Sequence, residues 1–117
     1  MTSSPRLSAL AWLERNDLST QVDAVVGGDE VACGKPAPAP YLLALSRVRC
    51  KVAGSLAVED SPIGAISAVS AGLSTWALAA PGNRSGWPPE VRFITSLGEL
   101  GCSDDFGVGG ILAEPFP

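Results

Sequence analysis

Residues 55–72 (SLAVEDSPIGAISAVSAG) join a buried strand to a helix within a few residues, and this junction constrains the fold more than any other stretch. The apolar run ends at two adjacent acids, Glu59 and Asp60. Ser61 and Pro62 follow, and they suit a helix cap and the first helical position. In open α/β sheets, ligands bind at the carboxyl ends of strands, where the positive end of the next helix favours anions. The pattern also fits an ordinary turn whose acids are solvated or capping.

The helix after the two acids is predicted to bury one apolar face. Ile63, Ile66, Val69 and Leu73 recur at about helical spacing, so we expect them to form that face. Gly72 suits the left-handed residue that commonly follows a helix. The helix is therefore predicted to end just before Gly72.

The other apolar segments alternate between strand and helix patterns. Helices are predicted over residues 5–16, 41–49 and 97–100, and strands over residues 22–26, 74–80 and 91–95. Ser3 or Ser4 is expected to cap the first helix, and residues 29–40 form a loop because they contain Gly34 and three prolines. Such alternation predicts an α/β fold with a parallel sheet and crossover helices.

Composition excludes several classes of function. The 117 residues carry a net charge of -4 without a basic stripe, which argues against nucleic-acid binding. Histidine is absent, so Ser-His-Asp and Cys-His catalysis and His-ligated zinc are excluded. The three cysteines Cys33, Cys50 and Cys102 have no CxxC spacing and predict reduced thiols in a cytoplasmic protein. No segment resembles a membrane span or a secretory signal.

Three groups of polar side chains are expected along one edge of this sheet. They are the hydroxyls of Thr2, Ser3 and Ser4, the ammonium of Lys35, and the carboxylates of Glu59 and Asp60. A phosphoryl group with Mg²⁺ needs these donors, this positive charge and these carboxylate oxygens. Simpler alternatives are a solvated loop lysine and hydroxyls that only cap a helix.

Two long segments resemble the haloacid dehalogenase-like (HAD) hydrolase superfamily. Residues 28–45 (GDEVACGKPAPAPYLLAL) and 56–73 (LAVEDSPIGAISAVSAGL) are similar to its third and fourth motifs, most closely in sugar-phosphate phosphatases and β-phosphoglucomutase-like members. Residues 1–6 are similar to the second motif, and residues 93–100 to the last strand and helix. The resemblance covers residues 1–100 and implies a partial Rossmann-like parallel sheet. Residues 101–117, rich in glycine, acids and proline, are expected to be a flexible tail.

The resemblance also implies roles for individual residues. Thr2, with Ser3, would bind the transferring phosphoryl group, and Lys35 would neutralise charge between that group and the nucleophile. Asp60 would bind Mg²⁺ directly, and Glu59 would contribute directly or through water. The implied activity is Mg²⁺-dependent hydrolysis or transfer of phosphate esters of small molecules through an aspartyl-phosphate.

One departure from the family pattern concerns the nucleophile. The family's DxDGT motif, which supplies the phosphoryl-accepting aspartate, is not found in these residues, and neither is the helical cap that selects the substrate. The strand that bears DxDGT lies centrally in the family's sheet. We therefore expect a carboxyl-terminal portion of such a hydrolase, inactive in isolation, with an open strand edge that favours a dimer or a complementing chain. The alternative is a non-enzymatic interaction module that pairs through this edge.

Overall fold

The computed structural model describes residues 1–100 and the backbone of residues 110–112. Its helices are α1 (Arg6–Arg15), α2 (Ala39–Val48) and α3 (Pro62–Ser70), and its strands are β1 (Leu56–Glu59), β2 (Ser74–Leu78), β3 (Arg92–Ile94) and β4 (Gly110–Leu112). Single turns of 3-10 helix span Ser19–Gln21, Gly28–Glu30 and Leu97–Leu100. None of the described helices is long and apolar enough to cross a membrane.

The four strands form one parallel sheet in the order β3-β2-β1-β4, which confirms the predicted α/β class. Helix α3 connects β1 to β2, and these strands pair with Leu56 beside Ser74 and Glu59 beside Ala77. Every residue of β1 is buried. This central strand therefore sets the position of the two acids at its carboxyl end.

Strand β1 separates two hydrophobic clusters. Ala57 packs with Tyr41 and other residues of α2 and α3 on one face of the sheet. Leu56 and Val58 pack with Trp76 on the other face. Because successive side chains of a strand point to opposite faces, Glu59 projects to the same side as Ala57.

Helix α3 has the predicted ends, but the predicted buried face is only partly correct. The Ser61 hydroxyl accepts a hydrogen bond from Gly64 N at 3.2 Å, and Gly72 has φ +86° just beyond the helix. Of the four residues expected on that face, Leu73 is buried and Val69 is half-buried, but Ile63 and Ile66 are 55% and 38% exposed. The face against the sheet consists of small residues, Gly64, Ala65, Ser67 and Ala68. Close approach of α3 to β1 leaves no room for isoleucine there.

The strand predicted over residues 22–26 does not form. Val26 O accepts a hydrogen bond from Thr2 N at 2.9 Å, and Gly28 N donates to Ser4 O at 2.8 Å, so this segment runs beside residues 2–4. The carbonyl of Val25 accepts from Arg47 Nη1 at 2.6 Å. A strand requires a continuous ladder of backbone bonds, and these two bonds to residues 2–4 do not make one.

The predicted cap of α1 is also wrong. Pro5 holds the N-cap position without a side-chain cap, and Arg6 N donates to Asp29 Oδ1 at 2.9 Å. A carboxylate from the turn at Gly28–Glu30 therefore replaces the expected Ser3 or Ser4 hydroxyl. This exchange is favourable because a helix N-terminus attracts negative charge.

Part of the predicted tail belongs to the sheet. Residues Gly110–Leu112 form β4 and pair with β1, with Leu56 beside Gly110 and Val58 beside Leu112. The edge of β1 that was expected to be open is thus covered by the same chain. The rest of the predicted tail, residues 101–109 and 113–117, lies outside the described residues.

A bidentate ion pair fixes the turn at Gly28–Glu30 to α2. Arg47 Nη1 and Nη2 donate to Glu30 Oε2 and Oε1 at 2.9 and 2.5 Å. Gly27 N donates to the same carboxylate at 2.7 Å, and Arg6 Nε lies 3.6 Å from it. The hydrogen bonds from Arg47 are the main cause that lowers the pKa of Glu30 to about 2. Bidentate geometry of this kind adds rigidity as well as energy.

We predict that Glu30→Gln lowers the free energy of unfolding by about 1 kcal/mol at pH 7, because Arg47 loses its charged partner. The pKa of Glu30 is lower in the folded state, so its stabilisation is present above the ordinary pKa of 4.5 and is lost as pH falls towards 2. Urea unfolding at pH 7 and pH 3 should therefore show a smaller pH dependence in the variant. Glu14→Gln, at an exposed position on α1, is the control. Equal pH dependence in wild type and Glu30→Gln would contradict this prediction.

Candidate active site

Glu59, the last residue of β1, is buried inside the protein and is only 1% exposed. Its Oε1 atom accepts a hydrogen bond from the Tyr41 hydroxyl and lies 3.1 Å from Lys35 Nζ. Tyr41 belongs to α2, and Lys35 belongs to the loop before it. Three separate parts of the chain therefore meet at one carboxylate oxygen.

The second oxygen of Glu59 lies against α3. Oε2 is buried and has no hydrogen-bond partner among the residues that the structure describes. A Cβ atom added at Gly64 would lie 2.0 Å from Oε2, so a glycine is required here for the carboxylate to fit. This position beside the first turn of α3 favours a negative charge.

The electrostatics of Glu59 reflect opposing effects. Burial is the largest influence and raises the pKa of Glu59 above its ordinary value; the charge of Lys35 and the hydrogen bonds from Tyr41 and Lys35 offset this rise only in part. A charge inside a protein is tolerated when it is paired and hydrogen-bonded. Lys35 and Tyr41 provide both kinds of compensation, so the three side chains form one unit.

Lys35 is held in place and is not a solvated loop lysine. Its side chain is only 6% exposed, and its ammonium is paired with Glu59. Two residues further on, the carbonyl of Ala37 accepts a hydrogen bond from Ser67 Oγ of α3 at 2.6 Å. The loop is therefore anchored to α3 close to Lys35, which fixes where the positive charge lies.

A cleft of about 210 Å³ opens beside Lys35. It is lined by Met1, Thr2, Ser3, Gly28, Gly34, Lys35 and Pro40. Thr2 is buried, and its Oγ1 accepts from Ser4 N at 3.1 Å, which orients the hydroxyl group. A Cβ atom at Gly28 would lie 2.2 Å from Ser3 O, so the backbone at Gly28 packs directly against the backbone of Ser3. The structure thus brings together Thr2, Ser3 and Lys35, which the sequence placed far apart.

Asp60 differs from its neighbour Glu59 because it is exposed, just beyond the end of β1. Within the described part of the chain, no three His, Cys, Asp or Glu side chains form a group that could hold a metal ion. Mg²⁺ at phosphate sites is commonly held by one or two carboxylates, and phosphate oxygens and waters complete its shell. Asp60 fits this smaller requirement, so the residues suit an Mg²⁺ that binds together with a phosphate group.

Sequence reasoning missed Tyr41 and Gly64 as parts of this site. Both lie in the segments that resemble the family motifs, but their contacts with Glu59 need the fold. A signal was available for Gly64, because a glycine three residues after a helix cap is unfavourable without a packing reason. No comparable signal marked Tyr41, whose ring belongs to the core and whose hydroxyl alone reaches the site.

We predict that Gly64→Ala destabilises the protein by about 1–3 kcal/mol, because the added methyl group would displace the buried carboxylate of Glu59. Helix propensity alone predicts the opposite sign, a stabilisation of about 1 kcal/mol. The sign of the change in thermal or urea unfolding therefore identifies the contact. Gly82→Ala is the matched control, since an added Cβ meets no atom within 4 Å there. A stabilised Gly64→Ala protein would show that Glu59 lies elsewhere.

Comparison with known proteins agrees with this geometry. The family model of haloacid dehalogenase-like hydrolases matches residues 1–78. The chain is 34% identical over 117 residues to phosphoglycolate phosphatase of Rhodospirillum rubrum. This match covers 99% of this chain and 46% of that protein. It is 43% identical over 72 residues to the phosphorylated carbohydrates phosphatase of Thermotoga maritima, covering 62% of this chain and 33% of that protein.

The fold gives the same relationship. A crystal structure of a Thermotoga maritima protein described as a β-phosphoglucomutase superposes with a TM-score of 0.64 at 29% identity. That match covers 94% of this chain and 45% of the other. The chain spans less than half the length of the curated relatives named above. Its motifs, its sheet and these matches show that it belongs to the haloacid dehalogenase-like hydrolase family, in the branch that resembles phosphatases of phosphorylated carbohydrates and β-phosphoglucomutase.

Proposed function

We propose that this chain supplies the phosphate-binding and metal-binding part of a Mg²⁺-dependent phosphatase or phosphomutase for phosphate esters of small molecules. The observation that carries the proposal is the convergence of Lys35, Thr2 and Ser3 on one cleft. A fixed positive charge and hydroxyl donors are what a phosphoryl group requires. The names of the two phosphatase relatives support sugar-phosphate-type substrates. The cysteine pattern favours the cytoplasm as the place of action.

Each site residue has a proposed role. Thr2 and Ser3 donate hydrogen bonds to the phosphoryl oxygens, and the Lys35 ammonium neutralises charge on the same group. Glu59 holds Lys35 in position through the 3.1 Å ion pair, with a contribution to the metal through water. Asp60 is the direct Mg²⁺ ligand. When bound, the metal supplies positive charge that stabilises negative charge developing on phosphate oxygens.

The proposed reaction needs a nucleophile from outside these residues. An aspartate would attack phosphorus and release the alcohol of the ester, giving an aspartyl-phosphate that water then cleaves. None of the chain's aspartates stands in a DxDGT motif. The residues described here therefore bind and orient the phosphoryl group, and a carboxylate next to Asp60 completes the site.

The alternative of a non-enzymatic interaction module has weaker support. It was based on an open edge at β1, and that edge is paired with β4. The burial of Lys35 and Thr2 around a shared cleft also has no use in a module that acts only through its edge. We therefore retain the hydrolase as the proposed function.

We predict that Lys35→Met weakens binding of inorganic phosphate, measured by calorimetry with Mg²⁺ present, by about tenfold or more, because a charge-assisted hydrogen bond is lost. Lys51→Met changes the other lysine of the chain, which is exposed, and should leave phosphate binding unchanged. Thr2→Val should weaken binding in the same direction and keeps the Lys35–Glu59 pair. Equal affinity in Lys35→Met and Lys51→Met would contradict the proposed site.

We predict no significant turnover of a generic phosphomonoester by the 117-residue chain with Mg²⁺, because the chain lacks the nucleophile motif. Release of inorganic phosphate measures this directly. A form that includes a DxDGT strand should be active, and Asp60→Asn should remove its metal dependence, whereas Asp23→Asn, at an exposed position, should not. Robust turnover by the 117-residue chain that Asp60→Asn abolishes would overturn the prediction.

A further inference from the structure

Two donors share one oxygen atom of Glu59. The Tyr41 hydroxyl donates a hydrogen bond to Oε1, and Lys35 Nζ lies 3.1 Å from the same atom. A carboxylate oxygen can accept about two such bonds. The position of Oε1 therefore depends on the hydroxyl of Tyr41 as well as on the ammonium of Lys35.

The Glu59 carboxyl group has little room to turn away from these donors. A Cβ atom added at Gly64 would lie 2.0 Å from Oε2, 2.3 Å from Cδ and 2.6 Å from Oε1, so α3 packs against the whole group. The Glu59 side chain is 0% exposed, so bulk water does not reach it to replace a lost partner. A change at one donor is therefore felt by the other through Oε1.

Tyr41 and Lys35 differ in how firmly the fold holds them. Tyr41 is 0% exposed and belongs to the core cluster that includes Ala57 and Ala68. Lys35 lies in the loop before α2, and a long flexible stem separates its ammonium from the backbone. The hydroxyl of Tyr41 is therefore the fixed point, and the ammonium takes its position from Glu59.

We propose that Tyr41 is a positioning residue of the candidate site: its hydroxyl, through Glu59 Oε1, holds the Lys35 ammonium where it reaches a phosphoryl group in the cleft. Lys35 and Pro40, the residue before Tyr41, both line this cleft. A lysine ammonium has several N–H donors, so it can bond to Glu59 and still donate to phosphate. This role for Tyr41 rests on the proposed function.

Loss of the hydroxyl would alter the ammonium without any direct contact between Tyr41 and phosphate. Oε1 would lose a donor at a place that bulk water does not reach, and a buried acceptor without its partner is unfavourable. The Lys35 ammonium can compensate by moving towards Oε1. That movement takes it away from the cleft and weakens its bond to phosphate.

Tyr41→Phe removes the hydroxyl alone and keeps the ring in the core. Calorimetry with inorganic phosphate and Mg²⁺ present should show binding weakened by about fivefold, the equivalent of one hydrogen bond. Leu45→Val is the matched control, because Leu45 belongs to the same helix and the same core cluster. It shortens a buried side chain without removing a polar group, so phosphate affinity should stay unchanged.

A double-mutant cycle separates positioning from general damage to the fold. If the hydroxyl acts through Lys35, Tyr41→Phe should have no further effect on phosphate affinity in a Lys35→Met background. A purely structural role would weaken binding by a similar factor in both backgrounds. An equal loss in both backgrounds, unchanged affinity in Tyr41→Phe, or an equal loss in Leu45→Val would each overturn the proposal.

A spectroscopic measurement needs no change at Tyr41. The sequence contains one tyrosine, so protein labelled with carbon-13 at the tyrosine Cζ gives a single NMR signal from this side chain. Phosphate with Mg²⁺ should shift that signal in wild type and in Lys51→Met, but not in Lys35→Met. An unchanged signal in wild type saturated with phosphate, or an equal shift in Lys35→Met, would contradict the positioning role.

Failure of this inference and failure of the proposed function give different results. If wild type binds no phosphate, the proposed function fails and the role of Tyr41 fails with it. If Lys35→Met weakens phosphate binding and Tyr41→Phe does not, the proposed site stands and the role of Tyr41 alone is wrong.

Discussion

The contact of the buried Glu59 carboxylate with Lys35 and Tyr41 is the interaction on which the rest of the structure depends. Removing the partner of a buried charge costs several kcal/mol, so Lys35 and Tyr41 must stay in contact with its carboxylate. This requirement fixes the loop before α2, orients α2 through Tyr41, and demands a glycine at position 64 where α3 passes the second oxygen. The cleft follows from the same constraint, because Lys35 can line it only while Glu59 holds the ammonium.

The alternation of side chains along β1 explains why two adjacent acids behave differently. Glu59 projects to the same face as Ala57 and so meets Tyr41 in the core. Asp60 lies beyond the last residue of the strand and is exposed. One carboxylate therefore holds the Lys35 ammonium in place, and the other is exposed to solvent. Two acids on the same face could not divide these tasks, because like charges buried together would raise the pKa of at least one of them.

The sequence predicted most of what local chemistry decides and less of what packing decides. Ser61, Pro62 and Gly72 marked the ends of α3 correctly, because capping and left-handed conformations depend on the residue itself. The buried face of α3 was wrong in part: Leu73 is buried, but the tight approach to Glu59 requires Gly64, and Ile63 and Ile66 are exposed. The strand over residues 22–26 was also wrong, because this segment makes two separate backbone bonds to residues 2–4 in place of a continuous ladder. The grouping of Thr2, Ser3 and Lys35 could be predicted by resemblance. The hydrogen bond from Tyr41 of α2 to Glu59, which pairs with Lys35, could not.

The edge of β1 that pairs with β4 ends on the side of the sheet where the candidate site lies. The strand paired to β1 on this edge runs parallel to it, so its carboxyl end lies on the same side of the sheet as Asp60. An unpaired strand edge invites pairing with another chain, and β4 covers this edge of β1. Strand pairing and the proposed reaction therefore make different demands here: a short apolar segment such as Gly110–Leu112 meets the first, whereas the reaction we propose needs a carboxylate beside Asp60. The contacts that hold Lys35 against Glu59 come from α2 and the loop before it, whereas β4 lies at the edge of β1.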